Sequence, residues 1–188
     1  CSSDLRVAAR DAVMSDAEVM HAYQYNDCPA VPDFARRFVN AHLEREMPAD
    51  TVDYLPIPGI KPIIGLLPLA CGCASEPVTV ATMTRPGYPI PADWCAYHLN
   101  VTHQALPLGS HNEFRFGTQD IDTPTHLVMT NYPHNPSGQI ADQKWLRSLC
   151  QYCSDADIRL FNDAAYHSLS HSPESTALAD VAIDYPDL

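Results

Sequence analysis

Residues 126–138 read HLVMTNYPHNPSG, and residues 157–166 read DIRLFNDAAY. Each holds an apolar run, HLVMTNY and IRLFN, that reads as a buried strand ending in polar residues. The first run is followed by Asn135, Pro136, Ser137 and Gly138, the second by Asp163, Ala164, Ala165 and Tyr166. In open α/β sheets, ligands bind beyond the carboxyl ends of the strands, where such loops lie.

Working outward, ADQKWLRSLCQYCSD (141–155) predicts an amphipathic helix with Trp145, Leu146 and Leu149 on one side. Upstream, PVTVATM (77–83) reads as a strand, Arg85 to Pro89 as a turn, ADWCAYHL (92–99) as a helix and QALPL (104–108) as a short strand. A helix opens at Gly59, Ile60, Lys61 and Pro62 and runs through IIGLLPLAC, where Pro68 is expected to kink it or end it early. Before it come a helix from Pro32 to about Glu46, with Phe34, Phe38, Val39 and His42 at near-helical spacing, a loop at YQYNDCPAV, and a helix over LRVAARDAVMS. Strands alternating with crossover helices predict an α/β fold, a mostly parallel sheet with helices on both faces. The loops at Gly59, Tyr88, Asn135 and Asp163 should line its crevice.

The chain has 188 residues, 46% of them hydrophobic, enough for one sizeable core. Lys and Arg number 11 against 23 Asp and Glu, and the net charge of -12 argues against nucleic acid and anionic membranes as partners. The longest apolar run is too short to span a bilayer and contains a proline, and the N-terminus lacks a signal-peptide pattern. The expected location is the cytoplasm. Seven cysteines without repeated spacing make reduced thiols the default. Cys150 and Cys153 lack a second pair at zinc-finger spacing, and His167 and His171 lack a glutamate between them, so no metal site is assigned. A first residue of Cys1 suggests a fragment or a processed piece.

The sequences NPSG and DAAY, in order after two strands, resemble the N-P-[TS]-G and D-x-A-Y patterns of the class I/II aminotransferases, fold type I enzymes that use pyridoxal 5′-phosphate. YQYNDCPAVPDFARRF, PIPGIKPIIGLLPLA and RPGYPIPADW look like further segments of that family. The combination is most similar to its LL-diaminopimelate aminotransferase-like branch. The resemblance implies that residues 1–188 correspond to an incomplete large, cofactor-binding domain, with the N-terminal arm and the C-terminal small domain largely absent.

By the same resemblance, Asp163 holds the protonated pyridine nitrogen, Asn135 and Tyr166 the phenolic oxygen, Tyr88 the ring face, and Ile60 with Lys61 the phosphate. Lys61, Tyr88 and Asn135 are also expected to meet substrate. Tyr25 aligns with the tyrosine that reaches the cofactor of a neighbouring subunit, which implies a homodimer. The chemistry is coherent: a buried carboxylate keeps a pyridinium protonated, and an amide and a hydroxyl stabilise an oxyanion. Taken singly, Asp163 also reads as a helix cap, Asn135 as a turn former and Tyr88 as a loop anchor. Ile60 stands where the family usually has Ser or Ala, and Ala30 where it has Gly.

The implied reaction of the parent protein is amino-group transfer between an amino acid and a 2-oxo acid. A C–S lyase or synthase of the same fold and a non-catalytic protein of that fold are the alternatives. No catalytic residue is assigned, because the Schiff-base lysine of the family lies beyond the D-x-A-Y motif and the lysines here are Lys61 and Lys144. The isolated chain is therefore expected to be inactive.

Overall fold

The computed structural model describes residues 33–50, 52–57, 59–98 and 100–188, together with Val7, Arg10, Asp11 and Met14. The loop expected at YQYNDCPAV, Tyr25 within it, and most of the first expected helix lie outside the described residues. In chain order the elements are α1 (Phe34–Asn40), α2 (Ile60–Ala70), β1 (Val78–Thr82), α3 (Ile90–Tyr97), β2 (Val101–Ala105), β3 (Leu127–Thr130), α4 (Gln143–Asp155), β4 (Arg159–Asn162) and α5 (Leu178–Ala182). Short 3-10 turns occupy Ser110–Asn112, Thr118–Asp120 and His167–Leu169.

The strands form one four-stranded sheet in the order β2-β1-β3-β4. Every pair is parallel, with Val80 opposite Leu127 and Thr130 opposite Asn162. The connection from β1 to β2 runs one way and the next, to β3, runs back past β1. The loops after β1 and β3 therefore diverge at a switch point, where a parallel sheet opens a crevice.

Period-two alternation sends successive side chains to opposite faces. Val78, Val80, Leu127 and Met129 meet Ile64 of α2 and Cys95 of α3 on one face. Ala81 and Val128 meet Leu146, Leu149, Cys150 and Cys153 of α4 and Val181 of α5 on the other. Burying one such aliphatic side chain contributes about 1.5–3 kcal/mol. Helix α4 starts where Asp142 accepts the Trp145 N–H at 2.8 Å, a side-chain cap. The Asp142 carboxylate also pairs with Arg115 at 2.6 Å, tying the helix to the segment before β3.

Three expected boundaries are corrected. Helix α1 ends at Asn40 instead of running to Glu46. The N–H groups of Glu44 and Arg45 donate to Asp180 at 2.9 and 3.0 Å, and Asn40 Oδ1 accepts the Met47 N–H, so the chain is pulled out of helical geometry. Helix α2 continues through Pro68 to Ala70. The proline removes only one N–H donor near the helix end, and Cys71 and Gly72 still donate to the Leu67 and Leu69 carbonyls. Strand β2 spans Val101–Ala105, ahead of the expected QALPL. Pro107 cannot donate to a ladder, while Leu106 and Leu108 are buried beyond the strand.

Among the described residues, no helix is long and apolar enough to cross a membrane. No group of three or more His, Cys, Asp or Glu among them is placed to hold a metal ion.

Candidate active site

The carboxyl ends of β3 and β4 are stitched together beyond the last ladder pair by two asparagines. Asn162 Oδ1 accepts the Tyr132 N–H at 3.0 Å and the Thr130 hydroxyl at 2.9 Å. Asn131, 7% exposed, does the converse one residue further along. Its Oδ1 accepts the Asn135 N–H at 3.0 Å and its Nδ2 donates to the Asp163 carbonyl at 2.8 Å. The Asp163 N–H reaches back to the Thr130 carbonyl at 2.9 Å. One buried amide thus sets the backbone of both motifs. Neither asparagine was singled out by sequence reasoning, although both sit inside the quoted stretches. The available signal was a polar residue at the end of each apolar run.

From that frame Asn135 and Tyr166 come together, with Asn135 Nδ2 3.4 Å from Tyr166 Oη, a long contact between a donor and a hydroxyl. Both line a cleft of about 530 Å³ between the loop at 133–138 and the segment that ends at Ser172. Asp163 is half-buried, and its Oδ1 accepts the Ala165 N–H at 3.2 Å. Burial raises its pKa above the ordinary carboxylate value, and the Ala165 N–H opposes that rise. A carboxylate held this way is stabilised by a partner with a positive N–H, which would offset that rise.

The other expected residues stand elsewhere on the same edge. Tyr88 is half-buried and packs with Ile60 and Phe161 against the cluster on the α2 face. The turn that carries it requires glycine at position 87, since an added Cβ would overlap the Met83 carbonyl oxygen and lie 2.8 Å from its carbon. Gly59 precedes α2 at φ 135°, a conformation that glycine adopts freely. No side chain caps the helix, so the first-turn N–H groups of Ile60 and Lys61 remain available to an anion. Lys61 itself is exposed. Ile60, Lys61, Tyr88 and Asp163 do not line the cleft that Asn135 and Tyr166 share.

A second polar string escaped the sequence reading. Thr82 Oγ1, at the end of β1, lies 3.0 Å from Thr84 Oγ1 and 2.7 Å from Nε2 of His103 in the middle of β2. Burial and the nearby Arg85 guanidinium push the His103 pKa down, so the imidazole is held neutral. The cysteines are of another kind. Burial raises the thiols of Cys150 and Cys153 to about 11 and about 12, as expected of packing residues rather than reactive ones.

A half-buried carboxylate, an amide and a hydroxyl in contact, an aromatic residue on an adjacent turn and free amides at a helix start fit a flat, phosphorylated heteroaromatic cofactor. Comparison with known proteins gives the family and the fold. LL-diaminopimelate aminotransferase from Desulforudis audaxviator is 28% identical over 173 residues, covering 89% of this chain and 40% of that enzyme. The same enzyme from Methanocaldococcus jannaschii is 27% identical over 110 residues, 56% of this chain and 26% of that one. The aminotransferase AspB of Helicobacter pylori superposes with a TM-score of 0.70 at 17% identity, over 95% of this chain and 47% of that one. That likeness shows the α/β fold of the fold type I enzymes, present here in part. The chain spans less than half the length of each of these proteins. Residues 2–187 match the family described as Aminotransferase class I and II, and the chain belongs to it.

Proposed function

We propose that the crevice at the carboxyl edge of the sheet holds pyridoxal 5′-phosphate, the cofactor that membership of this family implies, in an aminotransferase. The parent protein would move an amino group between an amino acid and a 2-oxo acid. The observation that supports this most directly is the joint placement of the Asn135–Tyr166 pair and the half-buried Asp163 by one buried asparagine. Pyridoxal phosphate, when bound, supplies an electron sink for the carbanion left by loss of the substrate α-proton.

The residues of this chain have separate tasks in that reading. The Asp163 carboxylate would accept the pyridine N–H and keep it protonated, and its pKa would fall on doing so. Asn135 Nδ2 and Tyr166 Oη would donate to the phenolic oxygen. The N–H groups of Ile60 and Lys61 would receive phosphate oxygens, and Tyr88 would lie against the ring and exclude water from one face. Lys61, Tyr88 and Asn135 remain the proposed substrate contacts, with Tyr25 reaching the partner's site in a homodimer. Lys61 and Lys144 are exposed on helices with other roles, so neither serves as the lysine that anchors the cofactor. The isolated chain is expected to show no turnover.

The test is equilibrium binding of pyridoxal phosphate to the chain, read by absorbance and by quenching of Trp94 and Trp145 fluorescence. Saturable binding that falls at least about tenfold in Asp163→Asn, as expected for loss of a charge-assisted bond, supports the reading. Equal binding by both proteins would sink it. Product analysis with the parent protein, amino acids and cysteine-like substrates then separates transamination from C–S cleavage.

A further inference from the structure

The face of the sheet against α2 and α3 turns polar at its carboxyl end. Val78 and Val80 of β1 belong to the buried apolar cluster there, and Thr82, two residues on, continues the same side of the strand, fully buried. Its hydroxyl oxygen lies 2.7 Å from Nε2 of His103, a half-buried residue that stands opposite Val80 in the register. The same oxygen lies 3.0 Å from the hydroxyl of Thr84, which is also buried. Buried polar groups persist where each is hydrogen-bonded, and a connected string of them fixes one arrangement.

The string has a direction. Burial keeps the His103 ring neutral, so Nε2 either donates or accepts. If Nε2 accepts, the Thr82 hydroxyl donates to it and the Thr84 hydroxyl donates to Thr82, so both hydroxyl protons are used. The opposite order leaves the Thr84 proton with no acceptor among the described residues. The geometry also shows what the string holds. Thr84 opens the turn through Arg85, Pro86 and Gly87 to Tyr88, and that turn folds back on it: a Cβ added at Gly87 would stand 3.0 Å from Thr84 Cα. Tyr88, at the far end of the turn, packs as Ile60 does against the cluster to which Val80 belongs.

We propose that Thr82 and His103 are positioning residues: a string of hydrogen bonds running from Thr84 through Thr82 to His103 Nε2 anchors the start of the turn that presents Tyr88 to the crevice. The bonds and their direction do not depend on what fills the crevice, whereas their benefit to ring binding rests on the cofactor reading above.

Thr82→Val keeps nearly the shape of threonine without the hydroxyl, and Thr82→Ser keeps the hydroxyl. Pyridoxal phosphate should bind Thr82→Ser within about twofold of the parent chain and Thr82→Val about fivefold more weakly, the effect of roughly one net hydrogen bond. Thr84→Val removes the first donor and leaves the bond between Thr82 and His103; it should weaken binding in the same way, and it carries the test if Thr82→Val does not fold. Long-range proton–nitrogen NMR on the chain with 15N-labelled histidine, with the His103 resonance identified in His103→Gln, should show a neutral ring with its proton on Nδ1. A proton on Nε2, or equal dissociation constants for the valine and serine variants, overturns the proposal. If the parent chain binds no pyridoxal phosphate, the cofactor reading falls and the string is decided without it. The NMR signals of the Tyr88 ring, identified in Tyr88→Phe, should then stay in place in Thr82→Ser and move in Thr82→Val. Signals unmoved in both variants overturn the anchor.

Discussion

Replacing Asn131 by Ala tests the framework on which the site rests. The substitution removes an acceptor 3.0 Å from the Asn135 N–H and a donor 2.8 Å from the Asp163 carbonyl. Each bond contributes about 1 kcal/mol net, and a backbone group left buried without a partner costs about 1 kcal/mol more at the low end of the usual range. Asn131 is 7% exposed, so water reaches the vacated partners poorly. The expected loss is about 2–4 kcal/mol, a large part of the roughly 5–15 kcal/mol that holds a typical domain together. Urea unfolding followed by Trp94 and Trp145 fluorescence should show a lower midpoint at unchanged slope. Amide exchange adds a local reading, in which the Asn135 N–H loses protection more than the core amides of β3 do. Asn131→Asp keeps the acceptor for Asn135 but sets a carboxylate oxygen against the Asp163 carbonyl, so it should not restore stability. A loss below about 0.5 kcal/mol, within the range of ordinary surface changes, would refute the claim that this amide joins the two motifs.

Gly87→Ala should destabilise the turn by at least about 1–3 kcal/mol, because the clash is with the Met83 backbone and no side chain can move to relieve it. A Tm equal to that of the parent chain would show that the turn relaxes freely. For Asp163 the sign follows from the raised pKa: ionising the carboxyl is harder in the fold than in the unfolded chain. The penalty is absent below the ordinary carboxylate pKa and fully present above the raised one. Asp163→Asn should therefore be more stable than the parent chain at pH 7 without cofactor, with the difference vanishing toward pH 3, while cofactor binding weakens. A stability difference that ignores pH would contradict this. Cys150 and Cys153, with thiols at about 11 and about 12, should resist iodoacetamide at pH 8 until the chain is unfolded. Peptide mass mapping of native protein that showed either one labelled would overturn their placement.

Local pattern was sufficient for much of the architecture. Buried parallel strands need apolar side chains on both faces, so VTVAT and LVMT stood out without a partner in view. Helix α4 was legible from the apolar side of Trp145, Leu146 and Leu149, and the structure buries Leu146 and Leu149 together with Cys150 and Cys153. The loops bearing Asn135 and Asp163 followed from the strands that end before them. Where the signal depended on distant contacts, it failed. Strand β2 is half-exposed along its length and reads VTHQA, so the apolar residues just beyond it drew the assignment downstream. Helix α1 stops because Asp180 captures two N–H groups about 135 residues earlier in the chain, and no local propensity encodes that.

The sequence by itself determined the strands β1, β3 and β4 and the helix α4, and that Asn135, Asp163 and Tyr166 would lie beyond strand ends, because burial period and turn chemistry are local properties. Only the tertiary structure decided that β1 and β3 would be neighbours at a switch point and that Asn131 would hold the backbone of both motifs. Those are pairings across space between groups whose sequence separation carries no period. Their geometry comes from the order in which the strands pack, and that order is set by the two apolar faces of the sheet as a whole.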